Sequence, residues 1–257
     1  MPESSLLPSP HQMLPCRDGA TIAYHKSAGY TPGVVFIHGL VSDMTGEKAV
    51  ALERWCQAQG RAFVRFDCFG HGRSSGDFCA GTVGRWVEDT IAVLDALTEG
   101  PQVLVGSSIG GWIALITALE CGTGRVVGIV GSAVAADFTE DIWQRLSFAE
   151  WDELMRQGVI SLPNAYGGDP YRISRKLIEE GRRHLLLRGP IAVMCPVRLI
   201  HGLADPDVPW QTALLLQERI VSPDVVVTLV KDGGHRLSRP QDLERLGRVV
   251  AALIAIL

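Results

Sequence analysis

No run of apolar residues in this sequence approaches the ~18 needed to cross a bilayer as a helix, so no membrane span is expected. The opening stretch MPESSLLPSPHQMLP lacks the basic and apolar regions of a secretory leader. It also lacks arginine, which argues against a mitochondrial transit peptide, and the expected location is cytoplasmic. Basic blocks are absent too. With a formal charge of −4 and charges of both signs interspersed, a nucleic-acid partner is not expected. Six cysteines are present, but no C-x-x-C pair and no cysteine grouped with histidines, so they read as reduced thiols rather than a disulfide framework or zinc site. Lysine is scarce: Lys26, Lys48, Lys176 and Lys231 are the only four, a bias typical of GC-rich bacterial genomes.

What the chain does have is apolar content, 47% of 257 residues, ample for one large core. Residues 1 to about 15, rich in proline and serine, read as a loose arm, followed by strand-like pieces flanking Arg17-Asp18-Gly19, the second at Thr21 to His25. Short β-branched runs bounded by turn residues recur at 34–37, 62–66, 103–105, 126–130, 197–200 and 225–230. Such runs are what strands buried on both faces look like. Helical patterns lie between them at 47–59, 82–97 and 109–119, and a last one begins at Arg239-Pro240. In the first, the apparent apolar stripe is Val50, Ala51, Trp55 and Ala58, with Arg54 in register. Alternating strands and helices predict a mostly parallel sheet covered on both faces. Residues 137–190 break the alternation, offering helical segments, aromatics and charges but no convincing buried strand. A single domain is expected, with its core at about 16–136 and 191–257 and the stretch 137–190 inserted as a short helical lid over a site.

Three motifs carry chemistry. Val103-Leu104-Val105-Gly106-Ser107-Ser108-Ile109-Gly110-Gly111 contains G-x-S-x-G between an apolar strand and an apolar helix. A sharp strand-to-helix turn of this kind exposes a nucleophilic serine at the carboxyl end of the sheet. Ser108, not Ser107, stands at the centre of the glycine frame. His201-Gly202-Leu203-Ala204-Asp205-Pro206-Asp207 follows a strand end with an acidic turn, where Asp205 is preferred to Asp207 as the residue that orients a base. Gly233-Gly234-His235 follows the last strand, and His235 is the only histidine after both Ser108 and the acid. The catalytic set expected is Ser108, Asp205 and His235. Leu40, after Phe36-Ile37-His38-Gly39, and Ile109, next to the nucleophile, are the expected backbone donors of an oxyanion hole. His38 is expected to brace its turn. A metal reading of Asp67 with His71 finds no third ligand at useful spacing.

Together these motifs resemble the α/β-hydrolase superfamily over essentially residues 15 to 257. His38 to Gly46, Gly106 to Trp112, Cys195-Pro196 and His201 to Asp205 with Val208-Pro209-Trp210 resemble one subfamily more narrowly. Its animal mitochondrial member is a palmitoyl-protein thioesterase and an esterase of acyl glucuronides. The resemblance implies that Ser108, Asp205 and His235 match the family's triad, that 137–190 matches its short lid, and that this chain is a bacterial relative.

The implied reaction is hydrolysis of a carboxylic ester or thioester through an acyl-enzyme on Ser108, with no cofactor or metal called for. The substrate expected is a small-molecule ester or thioester, an acylated protein included. Rival readings are an acyl-glucuronide esterase or a peptidase on the same fold, or a non-catalytic ligand receptor that retains it. A dehalogenase is disfavoured because its nucleophile is ordinarily Asp.

Overall fold

The computed structural model describes residues 11–257 apart from Ala165. The first half contains strands β1 (Gln12–Pro15), β2 (Thr21–Ser27), β3 (Tyr30–Ile37), β4 (Arg61–Phe66), β5 (Gln102–Ser107) and β6 (Val126–Ser132). Helices α1 (Glu47–Ala58), α2 (Val83–Leu97) and α3 (Ile109–Cys121) lie between them. After β6 come α4 (Phe138–Arg145), α5 (Phe148–Gln157), β7 (Val159–Leu162), β8 (Tyr171–Ser174) and α6 (Arg175–Gly181). The chain then runs through β9 (Val197–Gly202), α7 (Gln211–Arg219), β10 (Val225–Val230) and α8 (Pro240–Ile254).

Eight strands make one sheet in the order β1-β2-β4-β3-β5-β6-β9-β10. Strands β1–β2 and β2–β4 pair antiparallel, and the remaining pairings, from β4–β3 to β9–β10, are parallel. The alternation of side chains along a strand divides the core in two. Val103 and Val105 of β5 join the cluster formed with α1 and α8, through Leu52, Leu246 and Val250. Leu104, between them, joins the opposite cluster with Trp86 and Leu94 of α2 and Trp112 and Leu115 of α3. Helix α3 is buried from Ile109 to Ala118, which explains why its sequence is apolar nearly all round. Each fully buried Leu or Ile there contributes roughly 1.5–3 kcal/mol relative to exposure.

The structure corrects the sequence reading in four places. Gln12–Pro15 is a strand, not part of a loose arm; it forms the sheet edge by pairing with Thr21–Tyr24. Residues 1–10 of that expected arm lie outside the described residues. Helix α1 buries Ala49, Leu52 and Cys56 rather than the expected stripe, and Arg54 and Ala58 are exposed. Helix α7 is an additional element with no clear apolar stripe in the sequence, because it buries only Ala213 and Leu216. The stretch 137–190 does contain buried strand: β7 and β8 pair antiparallel. Ile160 and Ile173 are directly opposed there and join Leu154 and Ile178 in a small separate core. That cluster, which includes no residue of the eight-stranded sheet, satisfies the hairpin's apolar face, so no long buried run signals it.

Candidate active site

Ser108 sits between β5 and α3 with φ 55° and ψ −121°, a conformation that L residues adopt only when surrounding structure imposes it. Three backbone bonds hold it: its N–H donates to Ser132 (2.8 Å), and its carbonyl accepts from Gly111 (3.0 Å) and Ala135 (3.1 Å). Two residues before and two residues after Ser108 the turn has room only for glycine. A β-carbon on Gly106 would lie 2.3 Å from the Gly110 carbonyl oxygen, and one on Gly110 would lie 2.3 Å from that of Ile37.

The carboxyl ends of three parallel strands bring the expected residues together. Ser108 follows β5, Asp205 follows β9 and His235 follows β10. The His235 Nε2 is 3.0 Å from the Ser108 Oγ, and its Nδ1 is 2.8 Å from Oδ2 of Asp205. Asp205 is fully buried at its side chain, whereas His235 keeps 16% exposure. Oδ1 of Asp205 accepts from the amides of Asp207 (2.9 Å) and Val208 (3.0 Å). Burial opposes ionisation of this carboxyl, but donors from His201, His235 and the Val208 amide outweigh it and hold the group well below the usual carboxylate range.

Asp207, the second candidate acid, is engaged elsewhere: its Oδ2 accepts from the Tyr166 hydroxyl at 2.5 Å. The Arg236 guanidinium lies 4.3 Å from the centre of the Tyr166 ring. Tyr166 thus ties the segment between β6 and β9 to both the acid loop and the histidine loop, a connection the sequence did not signal. His201, at the end of β9 just before the acidic turn, also reaches Asp205, with Nε2 3.1 Å from Oδ2.

Gly39 packs against the serine turn, where a β-carbon would lie 3.4 Å from the Ser107 carbonyl oxygen and 3.4 Å from the Ser108 Cβ. Leu40, next in the chain, and Ile109 both line the cavity beside Ser108. The Ile109 amide is the first of α3 and has no partner within the helix. His38 accepts from the Cys68 amide at Nε2 (3.1 Å), with Nδ1 2.8 Å from its neighbour's carbonyl at Gly39. Asp67 accepts from the amides of Met44 (2.6 Å) and Arg73 (2.7 Å), tying the loop after β3 to the loop after β4.

A cavity of about 710 Å³ opens over Ser108 and His235. Its walls mix apolar side chains of the inserted segment, such as Phe138, Ile142, Leu146 and Leu162, with charged ones from the loops. Lys48, in the first turn of α1, also lines the cavity; burial lowers the pKa of its ammonium to about 8, and it donates to the Arg236 carbonyl. Asp205, Asp207 and His235 offer ligand atoms within 4.8 Å of one another. They do not suit a metal, because both His235 nitrogens already face partners, one at Asp205 and one at Ser108.

The family model of the α/β-hydrolase family matches residues 34–249. The chain belongs to this family. This α/β-hydrolase is 44% identical over 226 residues to the mouse mitochondrial palmitoyl-protein thioesterase ABHD10, covering 88% of this chain and 76% of the mouse protein. The structure of mouse α/β-hydrolase domain-containing protein 10 superposes with a TM-score of 0.89 at 41% identity, covering 96% of this chain and 99% of that one. A putative hydrolase from Agrobacterium vitis S4 gives 0.90 at 39% identity, with coverage of 95% and 99%. These relatives overturn the expected cytoplasmic location, since the mammalian proteins are mitochondrial. The physical reason is that a targeting leader is separate from the fold and is removed on import, so a catalytic domain carries no record of its compartment. No helix among the described residues is long and apolar enough to cross a membrane.

Proposed function

We propose that this α/β-hydrolase is a serine hydrolase of carboxylic esters and thioesters that forms an acyl-enzyme on Ser108. The observation that carries the reading is the continuous hydrogen-bonded path from Ser108 Oγ through His235 to a buried, ionised Asp205, opening into a cavity. His235 Nε2 removes the proton from Oγ as Oγ bonds to the acyl carbon. Asp205 keeps the Nδ1 hydrogen in place and stabilises the imidazolium that results. The amides of Leu40 and Ile109 receive the carbonyl oxygen as it becomes an oxyanion. The carbonyl re-forms, the bond to the alcohol or thiol breaks, and His235 returns the proton where the leaving group needs it. Water, deprotonated by His235, then attacks the acyl-serine and releases the acid.

Acyl substrates are favoured by two observations. The mouse relative at 44% identity is a palmitoyl-protein thioesterase. The apolar wall of Phe138, Ile142, Leu146 and Leu162 suits an acyl chain beside Ser108. The segment 137–190 supplies that wall and acts as the lid.

The test is hydrolysis of matched p-nitrophenyl esters and acyl thioesters of increasing chain length, beside Ser108→Ala and labelling by a fluorophosphonate. Turnover and labelling that both vanish in Ser108→Ala support the proposal. Retained hydrolysis in that variant, or a wild-type protein that neither turns over nor labels, overturns it.

A further inference from the structure

The mechanism above uses one of the two histidines on Asp205 and leaves the other without a task. His201 lies on β9 at 1% exposure, with Leu229 of β10 at the paired position. Its Nε2 is 3.1 Å from the Val208 carbonyl oxygen and 3.1 Å from Oδ2 of Asp205. Both neighbours are acceptors, so Nε2 carries the hydrogen, directed at Val208 and shared with Oδ2. Nδ1, on the far edge of the ring, is buried and meets no hydrogen-bond partner among the described residues. A buried polar atom without a partner is unfavourable. Packing alone therefore does not account for a histidine here; the Nε2 edge does.

We infer that His201 is a positioning residue for the reaction proposed above, sharing Oδ2 of Asp205 with His235 and so moderating how tightly the acid holds the His235 imidazolium. The inference rests on the serine-hydrolase reading. Oδ1 is held independently by the Asp207 and Val208 amides, so the carboxylate stays in place when His201 is changed. The other titratable groups facing Asp205 are Asp207, within 4.8 Å of it and of His235, and Tyr166, bonded to Asp207. Neither donates to Oδ2. His201 does not line the cavity, so substrate contacts are untouched by its replacement.

The experiment is the pH profile of kcat/KM for ester hydrolysis in the wild type, His201→Leu and His201→Gln. With one donor removed, Oδ2 belongs to His235 alone and holds its imidazolium harder. The acidic limb of His201→Leu is therefore expected on the order of half a pH unit above the wild type, with KM unchanged. His201→Gln, which keeps an N–H donor, is expected to restore the wild-type limb. An acidic limb that stays put in His201→Leu, in a wild-type background whose hydrolysis depends on Ser108, overturns this inference alone. A wild type without Ser108-dependent hydrolysis overturns the serine-hydrolase reading instead. Nitrogen NMR of the wild-type histidines requires no variant to fold: a His201 hydrogen on Nε2 with bare Nδ1 supports the inference, and a hydrogen on Nδ1 overturns it.

Discussion

Gly202 and Gly233 meet backbone to backbone: a β-carbon on Gly202 would stand 2.1 Å from the Gly233 carbonyl oxygen. The contact brings the turn carrying Asp205 against the turn carrying His235, and it is reinforced by the Ala204 amide, which donates to the same carbonyl at 2.9 Å. The spacing between Asp205 and His235 is thus set by main chain as well as by their own hydrogen bond. Gly202→Ala must push the two turns apart. A displacement of about 1 Å in a catalytic set lowers activity on the order of a hundredfold. The expected result is a loss of that size in kcat/KM, with far-ultraviolet circular dichroism unchanged. Activity within a factor of two of wild type would show that the turns separate without disturbing Asp205 and His235.

Ser108 is held at φ 55° by the bonds to Ser132, Gly111 and Ala135, so the fold stores strain at this residue. Strain in such a conformation is of order 1–3 kcal/mol for a residue with a β-carbon. Glycine relieves it but loses roughly 0.5–1 kcal/mol through its freer unfolded chain. Comparing Ser108→Gly with Ser108→Ala cancels the loss of the hydroxyl, which both variants share. The glycine variant is expected to be about 1 kcal/mol more stable, or roughly 2–4 °C higher in Tm. Equal melting temperatures would mean that the turn relaxes when the hydroxyl is gone.

How much of this arrangement was legible beforehand follows from where each signal is stored. Strands buried on both faces, such as Val34–Ile37 and Val103–Val105, announce themselves as apolar runs, and G-x-S-x-G between a strand and a helix marks Ser108 locally. Asp205 and His235 were legible through chain order and turn composition. Gln12–Pro15 was not, because it is an edge strand paired on one side only and mostly exposed. The α1 face differs from the expected stripe because its buried side chains are Ala49, Leu52 and Cys56, each one position away from Val50, Ala51 and Trp55, so composition alone does not choose between the two faces. Tyr166 and His201 could not be found, since what they do depends on contacts with Asp207, Arg236 and Asp205 that only the folded chain makes.

His71 links pH to stability. The ring is buried against His38, Phe78 and Trp86, and its Nε2 has no hydrogen-bond partner among the described residues. Burial, helped by the neighbouring His38, lowers its pKa to about 3. An unfolded histidine binds a proton near pH 6.5, so between that value and about 3 the unfolded state takes up a proton that the folded state refuses. Stability attached to His71 is therefore complete above roughly pH 6.5 and falls below it by about 1.4 kcal/mol per pH unit. His71→Phe keeps the aromatic packing and removes this titration. The melting-temperature difference, variant minus wild type, is expected to grow steadily as pH falls from 7.5 towards about 5. A difference independent of pH would place the His71 pKa near its ordinary value.

Asp137 closes the segment 137–190, which contributes Phe138, Ile142, Leu146 and Leu162 to the cavity wall. It stands at the N-cap of α4 with φ 60°, and its carboxylate accepts from the amides of Leu186 (2.7 Å) and Leu187 (3.0 Å), close to where the segment returns to the sheet. The start and end of a fifty-residue excursion are thereby stapled through one side chain. Asp137→Ala leaves two amides without their acceptor and places alanine in the left-handed region. The combined loss is about 2–4 kcal/mol. Asp137→Asn keeps one carbonyl acceptor and tolerates the left-handed backbone, so it should lose about half as much. Denaturant melts measure both values, and limited proteolysis reports whether cleavage rises specifically within 137–190. If stability falls while that segment stays resistant, the bonds support the core but do not hold the cover in place. If cleavage rises and long-chain ester hydrolysis drops more than short-chain hydrolysis, the staple is what keeps the apolar wall of Phe138, Ile142 and Leu146 over Ser108.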